Sequence, residues 1–442
     1  MSVRTTGGAN QVNRVVVTIL RTARPSRRAR VAEIHFGQLM QFDGEDIVEI
    51  NTVQQADAEG RRFPQNMMRL KILNNGRFSL IHNDSEARHL HERQLVEYTH
   101  GVFSDNYARW SHVGNYYLNN WAVRENHVDF TAYGRTRDLG TAVYRDSSFG
   151  LFTLGQIARH VAASAGCEVV VPRVMDNSPL FPRFFGNVTH RAALSAIAQV
   201  ASCLLFEDKE GRICFVDALD TRQGSRDVLD YENMFEPPRI GLGTFYNGIM
   251  LTEKFVTLDM NHMQRVQVDA WGMEDITIPF DRPVYSGGWL RLTDDSWHFS
   301  VTNVQFHAMY MTARIQGFGQ CNMEIFGNRA NFAPLEWFMH APWFDASQGQ
   351  RPYVVDVPMF LQNIMHIAQT RNWFFARKFA MLAKRVVCDA NWRQNPALGP
   401  GDEVSVQMWA DGRSGSAHVL SQELNFNRGV LRGNTRVITE QG

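Results

Sequence analysis

The chain has 442 residues with 45 basic and 45 acidic side chains, so its formal charge is zero. A neutral chain has no overall pull towards nucleic acid or acidic membranes, and a length of this order allows roughly three domains of ~100–200 residues. At 11% aromatic, with 29 Phe and 10 Trp, it is too rich in large apolar groups to be disordered.

The N-terminal arm has no apolar core of signal-peptide type, and no apolar run approaches the ~20 residues of a membrane span. The expectation is a protein that is made in a cytoplasm and stays soluble, with no stable membrane insertion. The five cysteines, Cys167, Cys203, Cys214, Cys321 and Cys388, are widely spaced. They read as small buried apolar residues and not as a disulfide framework or zinc cluster.

Val15 to Leu20 is a short apolar strand. Arg21, Arg24, Arg27, Arg28 and Arg30 then fall within ten residues. They fit a solvated loop between strands, or a contact patch for DNA or an acidic partner. Val31 to Phe42 followed by Asp43-Gly44 carries a hairpin signal, and Ile47 to Val53 continues a sheet. Phe63-Pro64 precedes Met68, Leu70 and Ile72, which alternate with Arg69 and Lys71. Ser111 to Gly140 reads as a long hairpin. Tyr116, Leu118 and Ala122 alternate on one arm, and Val128, Phe130 and Ala132 on the other, as barrel wall should.

From Phe152 the period changes to that of a helix. Thr153 and Gln156 form a capping-box pair, Leu154, Ile157, Ala158, Val161 and Ala162 share one face, and Gly166 sits where a C-terminal cap belongs. Thr189 caps a second helix striped by Leu194, Ile197, Ala198 and Ala201. Leu204 to Glu207 and Ile213 to Val216 close a hairpin around Asp208 to Gly211. Helix, strand, helix and hairpin make a small α+β module.

Strands resume at Gly248 to Phe255 and Arg265 to Trp271. The segment Val284 to Val355 is dense in aromatics, among them Trp289, Trp297, Phe306, Tyr310, Phe326, Trp337, Trp343 and Phe344, and reads as the core of a β-rich insertion with part of it available as a subunit contact. Asp356 is expected to cap a helix with Pro358 in its first turn and Phe360, Leu361, Ile364, Met365, Ala368 and Trp373 on its apolar side. The end, Gly401-Asp402-Glu403-Val404-Ser405-Val406, a polar turn, and Ala417 to Phe426, repeats the layout of the first hairpin. Two like barrels at the ends of one chain suit a scaffold better than an enzyme.

Chemistry is sparse. P-loop, dinucleotide fingerprint and nucleophile elbow are all missing from the sequence. His89-Leu-His91-Glu92 fails the zinc-protease spacing because Leu95 stands at the second histidine position, and a solvent-facing segment is expected. His418 behind Ser414 and Ser416 is weak evidence for a catalytic pair. Asp294-Asp295 and Glu45 with Glu49 are pairs that any chain this acidic produces.

The order of parts resembles the baseplate or tail-tip hub family of long-tailed bacteriophages, with relatives in gene-transfer particles and contractile secretion spikes. The resemblance rests on Ala32-Glu33-Ile34-x-Phe36-Gly37, Phe63-Pro64, Gly114-x-Tyr116-Tyr117-Leu118-x-x-Trp121, the Leu154-Gly-Gln-Ile157-Ala158 helix with its hairpin, and Asn395-Pro-x-Leu398-x-x-Gly401-Asp402-x-Val404-x-Val406. It implies a mainly β fold with two similar tube-type β-barrel domains, a small α+β module and a β-rich peripheral insertion. The expected division is 1–150 for the first barrel, 151–220 for the module, 221–283 and 356–442 for the second barrel, and 284–355 for the insertion.

The resemblance further implies a homotrimer joining a six-fold tail tube and distal tail ring to a three-fold central spike or fibre, around the tape measure protein, with transient passage of DNA. No catalytic residue, cofactor or metal is expected, and the scattered cysteines do not support an iron–sulfur cluster. Arg24, Arg27, Arg28 and Arg30 remain the candidate partner or lumen patch. The chain stops soon after its last strand, so a cell-wall-cutting module is expected on another protein or not at all. The competing readings are a cell-wall hydrolase with an acid pair in the aromatic segment, and a carbohydrate- or receptor-binding module.

Overall fold

The computed structural model describes residues 12–19, 40–42, 46–79, 85–104, 107–220, 225–230, 234–293, 296, 298–362, 367–384, 386–392, 395–407, 414–427 and 430–439. The fold is mainly β with a small α component. Both ends of the chain share one 13-stranded sheet. It runs from Arg239–Leu242 through Val386–Trp392, Val430–Thr439 and Ser414–Asn427, then through Ile47–Gln55, Met67–Leu73, His127–Tyr133, Tyr107–Val123, Leu95–Ser104 and Val12–Ile19 to Met40–Phe42.

The two ends meet where Ser414–Asn427 lies antiparallel to Ile47–Gln55, from Ser421 opposite Gln55 to Asn427 opposite Glu49. This shared strand feeds two separate cores. Ala417 and Val419 pack with Leu229, Cys388, Ala390, Trp392, Val404 and Val406. Leu424 and Phe426 pack instead with Ile50, Met68, Leu70, Tyr98, Tyr116 and Phe130. Inward residues change from odd to even numbers because the ladder slips between Val419 and Ser421. A bulge of one residue reverses which side chains face in.

A second bulge corrects the sequence reading of the hairpin Tyr107–Val123 and His127–Tyr133. Leu118 opposes Ala132 but Asn120 opposes Thr131, so Asn119 is extra. Beyond it Trp121 and Val123 pack against the core, and Ala122, expected to face inward, is exposed.

Residues 151–220 hold α1 (Leu154–Ser164), α2 (Arg173–Asp176) and α3 (His190–Ala201), with the antiparallel pair Leu204–Glu207 and Ile213–Val216. Thr153 and Gln156 form the reciprocal capping box on α1, and the Thr189 hydroxyl accepts from the Ala192 N–H on α3. The apolar faces of α1 and α3 bury against Ile249, Leu251, Tyr353, Val355, Phe360 and Phe374. This core lies outside the two wall cores and gathers the module, the root of the insertion and a late helix.

That late helix, α4, spans Ile367–Ala383. It does not begin at Asp356 as expected. Pro352–Val355 and Leu361–Gln362 pair in parallel with the root strand Gly248–Pro279. Phe360 and Leu361 are buried by that pairing, and Asp356 lies 3.7 Å from Lys254 instead of capping.

The insertion also starts earlier than expected. Gly248–Pro279 pairs with Tyr310–His340 along almost its whole length, from Gly248 opposite His340 to Pro279 opposite Tyr310. Residues 248–279 thus pair with the insertion and not with the second wall, because a register of this length outweighs any local preference. Val284–Leu292 and Ser300–Phe306 flank the far edge. Its core is Ala270, Ile278, Phe280, Phe299, Met311, Ile315, Cys321, Met323 and Ile325. Of the aromatics expected there, Phe306 packs against this core and stacks on Phe280. Trp289 and Trp337 are exposed, Phe306, Tyr310, Phe326, Trp343 and Phe344 are half-buried, and Trp297 is outside the described residues.

Candidate assembly surface

The hairpin of the α+β module touches both cored parts of the large sheet. At its turn the Asp208 carboxylate accepts from the Glu210 and Arg212 N–H groups at 3.1 and 2.8 Å, which shapes the loop. The Lys209 carbonyl accepts from the Asn115 N–H of the first wall at 2.9 Å. Its ammonium donates to the Pro396 carbonyl of the second at 2.8 Å. Burial pulls the Lys209 pKa down to about 8. Gln54 adds a donor to the Val113 carbonyl at 2.8 Å, and Gln422 one to the Asn395 carbonyl at 3.0 Å.

Two residues before Lys209, Glu207 is buried and accepts from the Arg135 N–H at 2.6 Å, the Thr136 N–H at 3.3 Å and the Thr136 hydroxyl at 2.5 Å. Burial still raises its pKa above the usual carboxylate value. Gly134 is required here, since a Cβ would come within 2.2 Å of the Glu207 Oε2. Glu207→Ala strands two backbone donors and one hydroxyl in the interior. The expected cost is about 2–4 kcal/mol, read from the urea midpoint.

Near the junction lies a polar knot around the buried Tyr353 and Lys378. The Tyr353 hydroxyl donates to the Glu59 carbonyl at 2.5 Å and accepts from Gln199 Nε2 at 3.3 Å. The Arg61 guanidinium sits 4.5 Å from the Tyr353 ring centre and the Lys378 ammonium 4.9 Å. Lys378 on α4 is 1% exposed. Burial brings its pKa down to about 7, against the smaller opposing pull of Cys203, Asp57 and Glu59. Arg377 beside it donates to the Ala201 carbonyl at 2.9 Å and to Asp217 at 2.8 Å, bolting α4 to the module.

The outermost strand, Arg239–Leu242, pairs by one edge with Val386–Trp392 and is exposed along all four residues, Leu242 at 67%. Beside it a groove of about 420 Å³ is lined by Glu59, Tyr246, Lys384, Leu420, Arg436 and others. An apolar, exposed edge strand is a template for pairing with another chain.

Arg24, Arg27, Arg28 and Arg30, and the pair Asp294-Asp295, lie outside the described residues. His89 ends a short 3-10 turn and is exposed, while the His91 Nδ1 is 3.1 Å from the Glu92 carbonyl. Ser416 donates to Glu403 at 2.5 Å and not to His418. Acids of the insertion have cation partners: Glu324 meets Arg265 and Arg291, Asp275 meets Arg314, and Asp259 meets Arg282. Among the described residues no group of His, Cys, Asp or Glu is arranged to hold a metal, and no helix is long and apolar enough to cross a membrane.

Sequence patterning does not single out Glu207, Lys209 or Lys378. Lys378 carries a signal in its spacing, four residues after the core Phe374 and three before Met381, on the buried side of α4.

No family model matches the sequence, and no curated relative does. Among solved structures, several neighbours are tail proteins. It is similar to the 43 kDa tail protein of prophage MuSo2 from Shewanella oneidensis, at 12% identity and TM-score 0.49, covering 96% of this chain and 98% of that one. The tail protein from Neisseria meningitidis gives 10% identity and TM-score 0.49, with 96% of each chain covered. Prophage tail protein gp18 from Listeria monocytogenes gives 9% identity and TM-score 0.45, covering 96% of this chain and 94% of that one.

Proposed function

We propose that the chain is a structural component of a phage tail, the hub of the tail tip. Three copies would present six like walls around an open axis. They would join a six-fold tube and distal tail ring to a three-fold spike or fibre, enclose the end of the tape measure protein, and gate the exit of DNA. The observation that carries this reading is the seam of Ser414–Asn427 with Ile47–Gln55, which welds two cored walls edge to edge within one chain. Head-to-tail repetition of a double wall closes a ring with half as many chains as walls. Nothing in this role requires an active site, a cofactor or a metal.

The exposed strand Arg239–Leu242 is the edge through which such a ring would close. Leu242→Lys with Ile240→Lys places two charges on it and removes no internal contact of the large cores. Sedimentation is expected to show the parent as an assembled ring and the double variant as single chains, with melting temperature unchanged. Assembly of the double variant as efficient as that of the parent would remove this edge from the account.

A further inference from the structure

We propose that the outer face of the insertion binds an unbranched, largely uncharged oligosaccharide, a role beyond the hub and independent of its symmetry. Along Tyr310–His340 the side chains of Phe318, Gln320, Asn322, Glu324 and Phe326 alternate onto one face. Register places Trp271 opposite Phe318, Asp269 opposite Gln320, Gln267 opposite Asn322, Arg265 opposite Glu324 and Met263 opposite Phe326. Trp289 and Arg291 extend the last two rows on the other side, opposite Phe326 and Glu324.

The face therefore has aromatic ends and a polar middle. At one end Trp271 and Phe318 are 73% and 72% exposed. At the other, Trp289, 48% exposed, stacks on Phe326 with ring centres 4.0 Å apart and planes 6° from parallel. Between them a depression of about 390 Å³ is lined by Arg265, Gln267, Thr293, Asn322 and Glu324 among others. Its planar groups are held in place. Gln267 donates to Gln320 at 3.0 Å, and Glu324 accepts from Arg265 at 3.3 Å and from Arg291 at 3.1 Å.

This pattern suits a sugar chain. A pyranose offers an apolar C–H face to an aromatic ring and a rim of neighbouring hydroxyls to planar amides, carboxylates and guanidinia. Eight residues separate Phe318 from Phe326, about 26 Å at the rise of a strand, room for roughly five pyranose units. A protein partner would want the reverse layout, an apolar centre within a polar rim. Arg265 and Arg291 are balanced by Glu324 and Asp269, so a phosphate backbone gains no net attraction.

The test is affinity electrophoresis of the full chain through gels containing, one at a time, a soluble β-1,4-linked N-acetylglucosamine polymer, a β-1,3-glucan, an α-glucan, a mannan and a galactan. At least one is expected to retard the parent. Trp271→Ala and Trp289→Ala should each weaken that retardation by about tenfold, the loss of one stacked ring. Leu180→Ala, at an exposed apolar residue of the α+β module, should not. Melting curves matching the parent establish that the variants fold. Free migration through all five gels, or equal retardation of parent and both tryptophan variants, overturns the proposal. So does self-association of the parent that Trp271→Ala abolishes, since another copy of the chain would then cover this face.

Discussion

Lys378→Met is expected to stabilise the protein at pH 7 by about 2–4 kcal/mol, because it removes an ammonium from a site with no room for its hydration shell. Lys378 is 1% exposed, and burial lowers its pKa from 10.5 to about 7. The sign follows from proton counting. The unfolded chain takes up the proton below pH 10.5, and the folded chain resists until about pH 7. Stability is therefore highest above pH 10.5, falls as pH drops through that window, and is level below it. The full difference amounts to about 5 kcal/mol. Urea unfolding from about pH 7 to 10 should show a rising stability in the parent and a flatter line in Lys378→Met. A variant less stable than the parent at pH 7 would mean that the contact with Tyr353 outweighs burial of the charge.

His100→Phe is expected to flatten the acid limb. His100 is buried in the first wall core, its ring edge-on to Tyr98 and Phe426, and neither ring nitrogen has a hydrogen-bond partner among the described residues. Burial pulls its pKa from 6.5 down to about 4. The unfolded chain is protonated first, so stability is full above pH 6.5 and declines as pH falls towards 4. The loss reaches about 3 kcal/mol. A phenylalanine ring fills a similar volume without orphaned nitrogens, so the same substitution should also add about 1–2 kcal/mol at pH 7. Parallel acid limbs in parent and variant would place the acid sensitivity elsewhere.

Local chemistry is legible in the sequence and long-range register is not. Thr153 with Gln156, Thr189, and the hairpin around Asp208 to Gly211 announce themselves because cap and turn residues act within four positions. Ala122 falls out of step through a single extra residue, Asn119, and nothing in its side chain marks a bulge. Residues 248–279 look like any half-buried strand, and only their partner 310–340 sets them in the insertion. Size predicts burial for the aromatics of 284–355, yet Trp289 and Trp337 are exposed, and Phe299 shares the core with Met, Ile and Cys. Phe360 and Leu361 fit a helical stripe, but parallel pairing with Gly248–Pro279 claims their segment first.

The buried charges are harder to read than the fold. Glu207, Lys209 and Lys378 each stand beside another charged residue in the sequence, and a linear pattern reads such residues as solvated. Their importance appears only when Gly134, Pro396 and Tyr353 are brought beside them.

Native mass measurement of the purified chain, followed by class averages of the same species viewed down its axis, tests the central claim most directly. The expected result is an assembly of about 150 kDa from chains of 50.5 kDa, three-fold with six like walls around an open channel. A single chain of 50.5 kDa at micromolar concentration, or a closed assembly with no axial channel, would contradict it.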